Sequence, residues 1–350
     1  MRLFGGADRR AGGRLRRLGK TPPFRGPGGE IVPGSVAEVA YRRLGGLDQW
    51  VMIRGESVAN PPLILLHGGP GFSETGFFRH FNAALEKSFT AVYWDQRGAG
   101  KSFDRSIPRS SMTVEQFIGD LDELIDAVCQ RLGKSKVAIF GHSWGSVLGV
   151  LYAARFPEKV AAYVGSGQIG DWAAAESGSY EWALAEAQRR GNRKAMRKLR
   201  AIGPPPYTAG AVFTERTLVS RFEGQMRPRA LWKVGRAVLG GPESSIFELP
   251  SGWRGFRWSM NAMWAEVSRL NLIELAPELQ MPVFFFLGRR DHFVPPQTSV
   301  AYLDALTAPS KQLVWFDGCG HEPFVDEPDH FNAAMAETVR PAIPPDPLAT

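Results

Sequence analysis

The stretch FGHSWGSVLG, Phe140 to Gly149, sets a serine between glycines two positions to either side and directly follows an apolar run. Alone, G-x-S-x-G is a short pattern that a glycine-rich chain produces by chance, and 39 of the 350 residues here are Gly. Its surroundings decide the reading. KVAIF before it reads as a strand and SVLGVLYAARF after it as a helix ended at Pro157, so Ser143 falls on a tight strand-to-helix turn. On such a turn neighbouring backbone passes too close for a Cβ at positions 141 and 145, which calls for glycine at both. The hydroxyl then stands exposed at the carboxyl end of a strand. The positive end of a helix behind it favours a developing oxyanion.

Outward from this turn the chain alternates strand-like and helix-like segments. PLILLHGG and FTAVYWDQRG are short continuous apolar runs ending in glycine, as expected of strands buried on both faces. VAEVAYRRL and QWVMIRG read as an early hairpin turning at GGLD, Gly45–Asp48. In TVEQFIGDLDELIDAVCQRLG, Val114, Phe117, Ile118, Leu121, Leu124, Ile125, Val128 and Leu132 recur at helical spacing, with Thr113 and Gln116 suited to a capping box and Gly133 to the stop. KVAIFG and VAAYVGSG add two strands, and PVFFFLG, a helix near 297–307, KQLVWF and a last helix complete the series. The rhythm predicts an α/β protein with a mostly parallel twisted sheet flanked by helices.

That rhythm is interrupted between about 170 and 270, in a helical stretch that holds six of the ten tryptophans: Trp172, Trp182, Trp232, Trp253, Trp258 and Trp264. We read it as an inserted helical cap whose tryptophans mostly form its own core. The expected organisation is a basic, disordered Gly/Arg-rich tail at 1–30, a first part of the core at 31–169, the cap at 170–270 and a second part of the core at 271–345.

A serine hydroxyl is a poor nucleophile until a base takes its proton, so a histidine oriented by an acid is required. In a strand–turn–helix arrangement of this kind the acid and then the histidine follow the serine in the chain. His67, His80 and His142 precede it. Of the rest, His330 opens the last helix and reads as a surface residue, and His292 reads as a rim or packing residue. His321, in DGCGHEP after the strand KQLVWF, sits on a loop able to reach the turn. Asp291, after PVFFFLG, is the expected acid, with Asp317 as its rival. The expected oxyanion donors are the N–H of Trp144 and that of Gly69 in HGGPG (His67–Gly71), with Gly68 the adjacent alternative.

HGGPG, DQRGAGKS (Asp95–Ser102), GHSWGS, GRRD and GCGHEP together resemble the α/β-hydrolase superfamily, and within it the prolyl aminopeptidase (proline iminopeptidase) branch, across roughly residues 36–170 and 280–340. The resemblance implies release of an N-terminal proline or similar small residue through an acyl-enzyme, without metal or cofactor, on a small-molecule or short-peptide substrate. DQRGAGKS lacks phosphate-loop spacing and reads as structural. Members of the branch carry Gly where this chain has His142, and they hold the substrate's free amine with cap glutamates. Here Glu223 in SRFEGQM is the candidate for that role, and Glu181 is a poor substitute for a second. A cap without an amine clamp would instead suit a carboxylesterase, lactonase or amidase acting on a small apolar compound. A non-catalytic ligand-binding module on the same fold is the reading of another class.

Bulk properties exclude some roles. The net charge of +7 looks like a nucleic-acid signal, but residues 1–30 hold eight Lys or Arg against Asp8 and Glu30, so six of those charges sit in the tail. The other 320 residues carry only +1, so no nucleic-acid partner is expected of the body, and no apolar run is long enough to span a membrane. The tail has no apolar segment after its arginine pairs, which reads against a secretory signal. Two cysteines, Cys129 and Cys319, are too few for a disulfide framework or a metal site, and the chain reads as cytoplasmic, with its oligomeric state open.

Overall fold

Eight strands form one sheet in the order β10-β9-β8-β7-β5-β6-β4-β3, in a computed structural model that describes residues 9–11, 14–16, 18–227, 233–237 and 249–346. A two-stranded antiparallel ribbon, β1 (Arg9–Ala11) with β2 (Arg14–Arg16), precedes them. β3 (Val36–Leu44) and β4 (Leu47–Gly55) are antiparallel, as is the pairing of β4 with β6 (Thr90–Trp94). The others, β5 (Pro62–Leu66), β7 (Val137–His142), β8 (Val160–Ser166), β9 (Val283–Gly288) and β10 (Lys311–Phe316), run parallel to their neighbours. β5 to β9 are buried along their whole length, which is why they read as unbroken apolar runs, and only the edge strand β10 exposes its first residues. The hairpin turn is tighter than expected. Gly45 and Gly46, both at positive φ, make it alone, and Asp48 already belongs to β4.

Helix α2 (Val114–Leu132) buries its apolar stripe and ends at Gly133 in a left-handed conformation. Thr113 caps it by accepting from the Gln116 N–H at 3.2 Å. The reciprocal half of the capping box is absent, because the Gln116 amide donates instead to Asp120 Oδ1 at 2.9 Å. Asp120 faces the sheet and is almost fully buried against Arg97, which reaches it through Nε and Nη2, both at 2.8 Å. Gln49 donates to the same carboxylate at 2.6 Å, and Arg97 Nη2 also donates to the Gly45 carbonyl at 2.9 Å. One buried ion pair therefore joins the hairpin, the loop after β6 and α2.

The segment DQRGAGKS works throughout as such a clip. Asp95 accepts from the Thr75 hydroxyl and the Lys101 N–H, Gln96 donates to the His67 carbonyl, and Ser102 accepts from the Trp50 N–H. Its structural reading rests on these bonds.

Between β8 and β9 the chain forms α4 (Trp172–Arg189), α5 (Arg193–Ile202), α6 (Ala209–Arg221) and α7 (Leu249–Val267). This is the stretch read as a cap; Trp232 and the interruption at 240–245 lie outside the described residues. At the other end, the expected tail is not uniform. Residues 1–8, 12, 13 and 17 lie outside the described residues, but from Leu18 the chain docks on β4: the Leu18 carbonyl accepts from the Trp50 indole at 2.7 Å, and that of Pro22 accepts from Arg54 at 2.7 Å. These backbone acceptors, satisfied by side chains of β4, are what hold a segment of low aliphatic content. Among the described residues no helix is long and apolar enough to cross a membrane.

Removing one member of the Arg97–Asp120 pair leaves the other buried without a counter-charge. Asp120→Ala is expected to lower unfolding stability by about 3–5 kcal/mol, whereas the double change Arg97→Met with Asp120→Leu costs much less. Urea unfolding of the three proteins checks this; equal losses in the single and double variants would contradict it.

Candidate active site

The turn between β7 and α3 (Trp144–Arg155) holds Ser143 at φ 52° and ψ −118°, a conformation that L residues rarely adopt. What holds it there is close packing of α3 on the sheet. A Cβ on Gly145 would lie 2.1 Å from the Leu66 carbonyl oxygen, and one on Gly141 2.4 Å from that of Gly145. The Ser143 N–H is used by the Ser166 carbonyl at 3.0 Å, and its own carbonyl accepts from the N–H and hydroxyl of Ser146. The backbone is thus pinned on both sides of the hydroxyl.

Asp291 and His321 meet across the ends of β9 and β10. The His321 Nδ1 lies 2.7 Å from Asp291 Oδ2, and both residues are buried. Asp291 Oδ1 accepts from the N–H groups of Phe293 and Val294, each at 2.9 Å, so the carboxylate is fixed by its own loop. Burial lowers the His321 imidazole below its ordinary range, against the opposing pull of Asp291 and with help from His142 and Arg216. The ring is therefore neutral near pH 7. Asp317, the rival acid, is exposed and pairs with Arg289. His292 packs flat on Trp182 at 3.9 Å, and His330 is exposed beside Glu327.

Ser143, Gly69 and His321 all line one cavity of about 390 Å³ between the sheet and the helices that follow β8. Its wall is mainly apolar, with Phe72, Phe77, Phe213 and Phe256 prominent. Trp172, Trp253 and Trp264 also line it, so the tryptophans of this region serve the cavity more than the expectation of a self-contained core allowed. Of the two glycine candidates in HGGPG, Gly68 has its N–H committed to Glu74 Oε1 at 3.1 Å. Glu223 requires a correction: it sits at positive φ just after α6, is exposed and is not in the cavity wall, because the α6 terminus turns it outward. Glu181 is exposed as well.

Several polar residues in and behind the wall had no site role assigned from the sequence. His142 Nδ1 lies 2.6 Å from Glu74 Oε1, and its Nε2 3.1 Å from the His321 carbonyl. Burial alone would lower this imidazole, but Glu74, aided by Glu322 and the His321 carbonyl, overrides it and raises it to about 9. His142 is therefore an imidazolium paired with Glu74, which accounts for a histidine where glycine was expected. Burial pushes Glu322 up to about 8, with His142 and Gln225 opposing and Glu74 and Asp291 adding. On the facing side Arg216, from α6, pairs with Glu176 and, at 2.9 Å, with Glu215. Burial lifts Glu176 to about 7 against the pull of Arg216. The only sequence signal for this set was proximity to motifs: Glu74 lies three residues past HGGPG, and Glu322 directly follows His321. Among the described residues no group of His, Cys, Asp and Glu could hold a metal ion.

Residues 61–199 match the family described as alpha/beta hydrolase fold. The chain is 31% identical over 313 residues to the probable aminopeptidase YbaC of Bacillus subtilis, covering 87% of this chain and 97% of that one. It is 25% identical over 296 residues to a proline iminopeptidase of Heyndrickxia coagulans, covering 81% and 91%. Among solved structures, the proline iminopeptidase-related protein of Thermus thermophilus superposes with a TM-score of 0.64 at 20% identity, covering 88% of this chain and 99% of that one.

His142, Glu322 and Glu176 all bind protons more tightly in the fold than in an unfolded chain. For His142 the stabilisation is complete below about pH 6.5 and is lost as pH rises through about 9. For the two glutamates stability falls as pH rises from about 4.5 toward 7 and 8. All three signs agree, and the lowered imidazoles of His321, His67 and His292 act in the opposite sense only below about pH 6.5, so unfolding free energy is expected to drop between pH 7 and 9.5. Denaturant titrations at pH 7, 8 and 9.5 measure it, and a flat or rising profile would refute these proton affinities.

Proposed function

The chain belongs to the α/β-hydrolase family, in its prolyl aminopeptidase branch, and from that premise we propose that it is a serine hydrolase working through an acyl-enzyme, releasing an N-terminal proline or similar small residue. The observation that carries the reading is the 2.7 Å Asp291–His321 bond in a loop that lines the same cavity as the strained Ser143. In this mechanism the Ser143 hydroxyl attacks the scissile carbonyl while His321 takes its proton, for which a neutral imidazole is required. Asp291 orients the ring and stabilises its charged form. The N–H groups of Trp144 and Gly69 receive the oxyanion, each worth about 3–4 kcal/mol in comparable enzymes. The commitment of the Gly68 N–H to Glu74 favours Gly69 over its neighbour. His321 then passes the proton to the leaving amine. Water, activated by the same imidazole, releases the acyl group and restores the serine.

Peptidase specificity draws its support from the names of the relatives and from a cavity size suited to a small residue. A second reading, ester or lactone hydrolysis, is favoured by one observation: Glu223 faces solvent outside a cavity whose wall is mainly apolar. A cytoplasmic setting fits the two free thiols, Cys129 and Cys319.

Turnover of proline β-naphthylamide, its N-blocked form and p-nitrophenyl acetate is compared for the protein and two variants. Ser143→Ala is expected to lose at least about 10⁴-fold and Asp291→Asn about 10⁴-fold in kcat. Hydrolysis of the free imino amide but not the blocked one supports the peptidase. Ester turnover alone assigns the esterase reading, and serine-independent turnover rejects the mechanism. The acid limb of kcat/KM should have its midpoint below pH 6.5, since the base is His321 with a lowered proton affinity. A midpoint above that value would contradict the lowered proton affinity of His321.

A further inference from the structure

We propose that Glu322 is the anchor for the substrate's ammonium group and so the residue that selects a free N-terminus. The inference rests on the peptidase reading above and supplies the amine partner that neither Glu223 nor Glu181 provides.

An α-amine lies two bonds, about 2.5 Å, from the carbonyl that the nucleophile attacks. Its carboxylate partner must then stand within one hydrogen bond of that short radius, close to Ser143 and the imidazole. Two carboxylates line the cavity together with Ser143 and His321: Glu74, whose Oε1 lies beside Gly68 and His142, and Glu322, which directly follows His321 in the chain. Glu74 is already taken: its Oε1 accepts from Gly68 and pairs with the His142 imidazolium, which cancels its charge. Glu322 follows His321 in the chain and is 4% exposed. Its Oε1 accepts from the Gln225 amide at 2.8 Å, and among the described residues its Oε2 has no hydrogen-bond partner.

A buried carboxylate with one vacant oxygen is unfavourable when ionised unless a donor arrives, and when protonated its O–H lacks an acceptor. The charges facing it are Glu74 and His142 from the side of α1 (Thr75–Asn82) and β7, and Asp291 from the end of β9, with the uncharged Gln225 opposite. Glu74 and His142 cancel, so Asp291 leaves the neighbourhood with a residual negative charge. A ligand cation compensates that charge and completes the coordination of Glu322 at once. An ester without an amine does neither. Because Glu322 is pushed up to about 8 in the empty site, an arriving ammonium ionises it, and at pH 7 binding releases about one proton to solvent.

The test uses the full chain carrying Ser143→Ala, so that ligand is not consumed. Prolinamide and alaninamide are the charged probes and tetrahydrofuran-2-carboxamide is the uncharged counterpart. Calorimetry at pH 7 in two buffers of different ionisation enthalpy reads affinity and proton release together. The expected result is about one proton released with an amino amide and none with the tetrahydrofuran amide. Adding Glu322→Gln should weaken the amino amides at least tenfold, abolish the proton release and leave the uncharged amide unchanged. Absence of amino-amide binding, absence of proton release, or equal weakening of charged and uncharged amides by Glu322→Gln would each overturn the proposal. The proton count is read with Glu322 intact, so a variant that fails to fold does not decide the matter. Glu322-dependent binding of amino amides by a protein that hydrolyses no free-amine amide would sink the peptidase reading and leave the anchor standing.

Discussion

Gly145 brings α3 so close to β5 that its Cα faces the Leu66 carbonyl with no room for a side chain, and the site is arranged around that approach. Seating the helix this deeply bends the chain at Ser143 into a strained conformation and holds it from both sides through Ser166 and Ser146. The strain persists because parallel strands on either side of β7 and the helix behind it over-determine the turn. The hydroxyl is thereby set at the carboxyl edge of the sheet, where the loops after β5, β9 and β10 converge.

Those loops differ in how they are fixed. The loop after β5 is tied down by its neighbour: Gln96 joins the His67 carbonyl to the Trp144 indole, so HGGPG and the start of α3 share one anchor. The loop after β9 is fixed by Asp291 itself, which spends one oxygen on its own backbone and the other on His321. His321 is gripped through its N–H by the Gln225 carbonyl and through its own carbonyl by His142. Rigid placement of this kind keeps reacting groups in register without reorganisation.

The polar groups in and behind the wall form two compensated pairs, with two carboxylates left over. Glu74 with His142 and Arg216 with Glu215 are balanced, while burial holds Glu322 and Glu176 at proton affinities far above those of exposed carboxyls. In an apolar cavity such groups are sensitive to any charge that enters, and this sensitivity ties ligand chemistry to protonation. A wall of Phe and Trp supplies affinity by area but little discrimination, which leaves selectivity to the few polar atoms in it.

The sequence by itself determined the order of the elements, the strained serine between two glycines, and the pairing of Asp291 with His321. Each follows from short-range rules: apolar period, the steric need for glycine, and the chain order that a parallel sheet imposes on residues at its carboxyl edge. Only the tertiary structure decided which carboxylates face the cavity and which are charged. Glu223 looked apt in the sequence and is exposed, whereas Glu322, which the sequence did not single out, is buried in the wall. The tail from Leu18 likewise read as free and is docked, through backbone carbonyls that composition does not reveal. The physical reason is common to these cases. Burial and proton affinity depend on distances among residues 74, 142, 225, 291 and 322, and no local pattern encodes a distance between segments so far apart in the chain.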